Sequence, residues 1–270
     1  MTQTTHNPFF FSYNTPFETP PFNEIKNEHF EPAFDEGIKR LDSEVQAIAN
    51  DTQPATFENT IIALERSGKL LNKVSSAFFN ILNAEADDEM MEISQRISPK
   101  LSESSNNIFL NEKLFARVKN VYEQKDRLNL STEDTKLLEE TFESFSVRGA
   151  NLNPEDKEKY RKLSTDLSVL SLRFDQNALK DKNRYELLLT DEKDLSGLPE
   201  SICEAAALRA KEKGKKGWLF NLTAPSYIPF MRYADSRKLR ETMYREYMSV
   251  GNKGDEYDNK EIIRQIINIR

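Results

Sequence analysis

Few residues in this chain are of types that carry chemistry, and their spacing narrows what they could do. His6 and His29 are the only histidines and Cys203 is the only cysteine. Two donors on one helical turn would have to lie three or four positions apart to share a metal, and the two histidines are far more widely separated. A serine or cysteine nucleophile would have only those two imidazoles to draw on as its base. His29 falls at the start of a helical pattern, where an imidazole serves more readily as a surface or capping group than as a ligand. A single cysteine can build neither an intrachain disulfide nor a thiolate cluster, which permits a reducing compartment. Carboxylates abound, as in Glu85-Ala86-Asp87-Asp88-Glu89 and Glu139-Glu140. Such runs are solvated faces or helix-start acids, and no apolar or basic surroundings single out a perturbed pair. Gly251-Asn252-Lys253-Gly254 is too short for a phosphate loop and reads as a helix stop. The residues themselves predict no catalytic group and no metal ligand.

The balance of charge bears on partners. The 270 residues carry 38 Lys and Arg against 45 Asp and Glu, a net charge of -7. That sign argues against wrapping nucleic acid, whose binding rests on clustered bases. The densest basic run, Lys211, Lys213, Lys215 and Lys216 around Gly214 and Gly217, reads as a solvated turn after a helix. The N-terminus has no basic leader region, and its apolar run, Phe9 to Phe11, is too short for a signal core. No stretch approaches the ~20 apolar residues of a membrane span. The expectation is a cytoplasmic protein engaging neither nucleic acid nor membrane.

The elements that would position any site read as mainly helical. With only 8 Gly and 31% charged residues, the composition suits helices better than a barrel or sandwich. Residues 1–29, with Pro8, Pro16, Pro20 and Pro21 among aromatics, predict an extended arm whose Phe side chains dock on the body. Phe34, Ile38, Leu41, Val45 and Ile48 mark one face of a helix ending near Asn50. Pro54 and Thr56 open a longer run through Leu82, in which Gly68 costs a little. A run from Asp87 to Ile108 should kink or split at Pro99. Shorter helices follow over 111–127 and 132–147, and Asn153-Pro154-Glu155-Asp156 caps the next. That helix has the clearest apolar stripe, Tyr160, Leu163, Leu167, Leu170, Phe174 and Ala178. Runs 185–189 and 217–222 read as short strands, with a helix from Pro199 to Gly214 between them. After a Pro225 to Pro229 loop, Leu239, Met243, Tyr244 and Tyr247 line a helix closed by Gly251. A last helix from about Asp258 carries five isoleucines up to Arg270 with no stop signal, so the sequence is expected to break off inside an element. The predicted organisation is the arm 1–29, a helical region 30–150, and a helical region with short strands over 151–270.

Local wording adds a resemblance along the whole chain. Asn14-Thr15-Pro16-Phe17, TPPFNEIKNEHFEPAFDEGI, ATFENTIIALERSGKLL, SSAFFNILNA, LNEKLFARVKNVYEQ, KGWLFNL, PSYIPFMRYADSRKLRETMYREYM and GDEYDNKEIIRQIINIR resemble the thimet-oligopeptidase-like zinc peptidases, in particular their bacterial peptidyl-dipeptidase branch. The resemblance implies the N-terminal lobe of a neurolysin-like, mainly helical fold with a small β-hairpin or short sheet, flanking a channel for unstructured peptides. It implies a full-length zinc enzyme releasing C-terminal dipeptides, using a His-Glu-x-x-His helix and a downstream Glu. No segment here matches that motif, so none of those residues carries over; this chain alone is expected to be inactive and to hold no zinc. The resemblance does not show which side chains face the channel; Tyr227 and Arg232, in and after the Pro225 to Pro229 loop, are the substrate-binding candidates, with loop packing and surface charge the favoured reading of each. The remaining readings are the same lobe of an endo-acting oligopeptidase, and a stand-alone helical peptide-binding module. Self-association through an exposed apolar surface is a further expectation.

Overall fold

Helices form where an apolar spacing of three and four residues meets a side chain able to cap the first turn. The computed structural model describes residues 7–85 and 87–270, so His6 and Ala86 lie outside the described residues. Two compact units divide between Val169 and Leu170.

Unit 1 is all-helical. α1 (Asn27–Ala49) starts where His29 turns its ring back, its Nδ1 accepting from the Lys26 amide at 3.0 Å. α1 packs along α3 (Lys69–Glu85) and α4 (Asp88–Phe109) around Phe30, Phe34, Phe78 and Ile97. Its C-terminal half joins a second core with α5 (Glu112–Glu123) and α6 (Thr132–Val147), built on Val45, Ile61, Leu114, Val118, Leu138 and Phe145. Asp87, Asn111 and Ser131 each accept a first-turn amide of the helix they start, satisfying donors that otherwise lack partners.

Several details differ from the sequence reading. The run opened at Thr56 is not one helix. Residues Phe57–Ile62 form a π-helical turn leading into α2 (Ala63–Glu65), and the chain then breaks before α3. Gly68 takes φ +71 there, and its amide donates to Glu44 at 2.7 Å; that left-handed backbone ends a helix rather than weakening it. α4, by contrast, continues through Pro99, whose neighbours Ile93 and Ile97 are buried. In the arm only Phe9 docks fully, at 1% exposure, while Phe10, Phe11, Phe17 and Phe22 stay exposed. Phe9 finds the ring of Phe30 at 5.3 Å, whereas Phe17 sits at φ 60 with 98% of its surface in solvent.

α7 (Pro154–Arg184) is capped by Asn153, which accepts from the Asp156 amide at 2.9 Å. Its apolar stripe is not its buried face. No stripe residue is fully buried, and the side chains of α7 that are buried are Lys157, Asn177 and Asp181. In unit 1 the helix is tied by polar pairs, Asn106 with Ser164 at 2.8 Å and Lys157 with Glu112 at 2.9 Å.

Unit 2 holds the strands. β1 (Leu187–Leu189) and β2 (Trp218–Phe220) pair antiparallel, Leu188 opposite Leu219. α8 (Glu200–Glu212) covers them. α9 (Ala224–Tyr233), α10 (Arg237–Met248) and α11 (Lys260–Ile269) follow. The segment expected as a Pro225 to Pro229 loop is α9. Pro225 stands in the first turn, where no amide is needed, and the donor missing at Pro229 faces only that first turn. Leu189, Phe220, Leu222, Phe230 and Met243 form the core.

Candidate functional site

The two residues singled out for peptide contact both stand on α9, but they point to different surroundings. Tyr227 is half-buried at the edge of the unit 2 core and stacks on Tyr247 of α10, ring centroids 4.2 Å apart and planes 13° from parallel. Burial pushes its phenol up, with smaller contributions from Tyr247 and Tyr244. Arg232 is exposed on the last turn, its guanidinium 5.4 Å from the Tyr233 ring. Five positions along a helix turn a side chain through about 140°, so Tyr227 and Arg232 do not converge.

α9 is set in place by backbone geometry. Gly197 adopts φ +85 and lies so close to its C-terminal end that a Cβ would sit 2.2 Å from the Tyr233 carbonyl oxygen. Asp235 then returns its amide to the Ser196 carbonyl at 2.8 Å and accepts the Ser196 hydroxyl at 2.7 Å.

Tyr247 carries the arrangement outward. It lines an open cleft of about 380 Å³ with Asp175, Leu179, Lys182 and Val250, and the Lys182 ammonium lies 5.7 Å from its ring centroid. The surface nearby is apolar and aromatic, with Tyr244 at 50% and Met248 at 60% exposure. Such a cleft offers ring and aliphatic contact beside one charge of each sign, Asp175 and Lys182.

The α10–α11 connection behind Tyr247 is pinned by a carboxylate that sequence reasoning passed over. Asp181 is fully buried and accepts from the Gly251 amide at 2.7 Å, Arg184 Nε at 2.7 Å and Lys253 Nζ at 3.2 Å. Burial alone would raise its pKa, but these three donors outweigh that and hold it below the usual carboxylate range. Asn259 closes the same loop, its amide donating to the Gly251 carbonyl at 2.7 Å and its side chain to the Phe174 carbonyl at 3.0 Å. The signal in the sequence was Asp181 and Arg184 three apart near a helix end, together with Gly251 at a turn.

Among the described residues no group of three His, Cys, Asp or Glu side chains could hold a metal ion. His29 spends one ring nitrogen on capping α1 and Cys203 is half-buried, its thiol pushed up by burial and then by Glu200. A zinc ion would find neither a His pair nor a thiolate among them. No described helix is long and apolar enough to cross a membrane.

The chain is similar along its length to known peptidases. It is 36% identical over 268 residues to the dipeptidyl carboxypeptidase of Escherichia coli, covering 99% of this chain and 39% of that protein. The dipeptidyl carboxypeptidase of Salmonella typhimurium is 34% identical over 98% of the chain and 39% of its own length. Oligopeptidase A of Escherichia coli is 30% identical over 95% and 38%. The chain therefore spans about two fifths of the length of these curated relatives. No protein-family model matches it.

Proposed function

From a chain that belongs to the thimet-oligopeptidase-like peptidases, the family of dipeptidyl carboxypeptidase and oligopeptidase A, we propose a non-catalytic, peptide-enclosing lobe of a zinc peptidyl-dipeptidase. In that reading the whole enzyme removes C-terminal dipeptides from short unstructured peptides in the cytoplasm. The zinc ligands and the general base are supplied by sequence that this chain does not include. The observation that carries the reading is the co-linear match of 268 residues to only 39% of a dipeptidyl carboxypeptidase.

The chain's part is to bind and orient. Tyr247, backed by Tyr227, offers a flat apolar surface, and Lys182 a cation beside it. Arg232 supplies a second cation on α9. No hydrolytic step is assigned to these residues, and the chain alone is proposed to be inactive. Zinc would supply a polarised water or carbonyl in the whole enzyme.

The 30% identity to an oligopeptidase A favours a second reading, the same lobe in an endo-acting enzyme. Continuing the gene sequence past Arg270 tests both against a stand-alone peptide-binding module. A reading frame that goes on to a His-Glu-x-x-His segment supports the enzyme; a stop codon after Arg270 would leave the binding module. Products from a blocked hexapeptide then separate the first two, since a peptidyl-dipeptidase yields the C-terminal dipeptide first.

A further inference from the structure

Unit 1 carries an open cleft of its own, about 390 Å³, between α4 and the 154–169 stretch of α7. Its lining is unusual for this protein. The chain has 45 acidic residues, yet none of the ten lining residues is Asp or Glu, while one, Arg148, is cationic. Arg148 makes no ion pair among the described residues; its guanidinium lies 4.3 Å from the Phe109 ring centroid, and its one hydrogen bond is a long 3.4 Å contact to Ser105. Phe109 is in turn held 5.0 Å from Phe145, which is completely buried. The guanidinium is thus braced on a ring anchored in the core, with most of its donors unused.

Hydroxyls complete the site. Ser98, Ser102 and Ser105 fall on one face of α4, and Ser98 and Ser102 are half-buried residues whose hydroxyls have no hydrogen-bond partner among the described residues. Tyr160 brings another unpartnered hydroxyl from α7, and Leu101 and Phe109 provide apolar wall. A fork of N–H donors with hydroxyl donors beside it matches the two coplanar oxygens of a carboxylate, and the apolar wall suits a small carbon body attached to it.

We propose that this cleft binds the carboxylate of a small organic acid of dipeptide size, gripped by Arg148 and steadied by Ser102, one turn from the Ser105 that Arg148 touches. The site is independent of the peptidase reading and contributes no reacting group. N-acetyl-alanyl-leucine, its C-terminal amide and inorganic phosphate, titrated into the full chain at low salt with backbone amide shifts followed by NMR, test it. The free-acid peptide is expected to shift amides of 98–109 and 148 and to bind at least tenfold more tightly than the amide. Inorganic phosphate, which shares the oxyanion but lacks the carbon body, is expected to bind more weakly than the acid. R148Q should lose at least tenfold of the acid's affinity. S102A, which keeps the helix and the cation, should lose about threefold, and circular dichroism establishes that each variant keeps its helices. Equal binding of acid and amide, tighter binding of phosphate, no shift in these amides, or a folded R148Q that binds as before would each overturn the assignment.

Discussion

Replacing Asp181 by Ala should destabilise unit 2 more than any other single polar change in it. The carboxylate is fully buried and satisfies the Gly251 amide, Arg184 and Lys253 at once. Its loss strands a buried N–H, which costs about 1–3 kcal/mol. It also leaves two cations without their shared partner, though both are partly solvated and keep other carboxylates, Asp255 for Arg184 and Glu246 for Lys253. The full 3–5 kcal/mol of breaking a buried pair is therefore discounted, and about 3 kcal/mol is expected. Trp218, the only tryptophan, sits on β2 and reports unit 2 unfolding in urea. With a slope of about 2 kcal/mol/M the midpoint should fall by roughly 1.5 M. The pH dependence follows from the sign of the shift. A carboxylate held below its unfolded value stabilises fully above about pH 4 and loses that contribution as pH falls through its folded pKa. The gap between the parent and Asp181→Asn should hold constant at neutral pH and close on acidification below about pH 4. An Ala variant within ~0.5 kcal/mol of the parent, or a gap that widens in acid, would mean that Asp181 does not hold unit 2 through these donors.

Tyr13 has a hydroxyl buried without a partner and a pKa pushed by burial up to about 12, so Tyr13→Phe should be neutral or stabilising by up to ~1 kcal/mol and should remove the highest-pH step of an alkaline absorbance titration. Lys73 donates to the Phe9 and Phe11 carbonyls and lies 3.6 Å from the Tyr13 ring centroid, so Lys73→Met should speed chymotryptic cleavage in the arm severalfold while leaving the urea transition of Trp218 in place. Gly68→Ala forces a Cβ into left-handed backbone 3.2 Å from Leu41 and should cost about 1–2 kcal/mol, read from helix loss on heating. A double-mutant cycle of Tyr227→Ala and Tyr247→Ala should return a coupling of about 0.5–1.5 kcal/mol for their stacked rings.

Much of this architecture was legible because local rules and packing agree. Phe34, Val45 and Ile48 repeat at helical spacing and are buried on α1, and Asn153 caps α7 as its position before Pro154 requires. The two strand runs pair. Elsewhere tertiary context overrode the pattern. Gly68 ends a helix because its amide is claimed by Glu44, a partner 24 residues away. Pro225 and Pro229 look like loop residues, yet one occupies a first turn and the other removes a single bond. The strongest apolar stripe, on α7, misled most, since Lys157, Asn177 and Asp181 are the residues that helix buries. For the candidate site, Tyr227 was visible as an aromatic near prolines, whereas its stacking on Tyr247 and the role of Asp181 depend on contacts between segments far apart in sequence.

The proposed enzyme divides its labour between this chain and the sequence its relatives carry beyond the match. Zinc content and dipeptide release, measured side by side on the purified 270-residue chain and on a protein extended to the length of its relatives, address it directly. Stoichiometric zinc and C-terminal dipeptide release are expected from the extended protein and neither from the chain alone. Zinc bound stoichiometrically by the chain alone, or peptide hydrolysis by it, would place the chemistry in this chain instead.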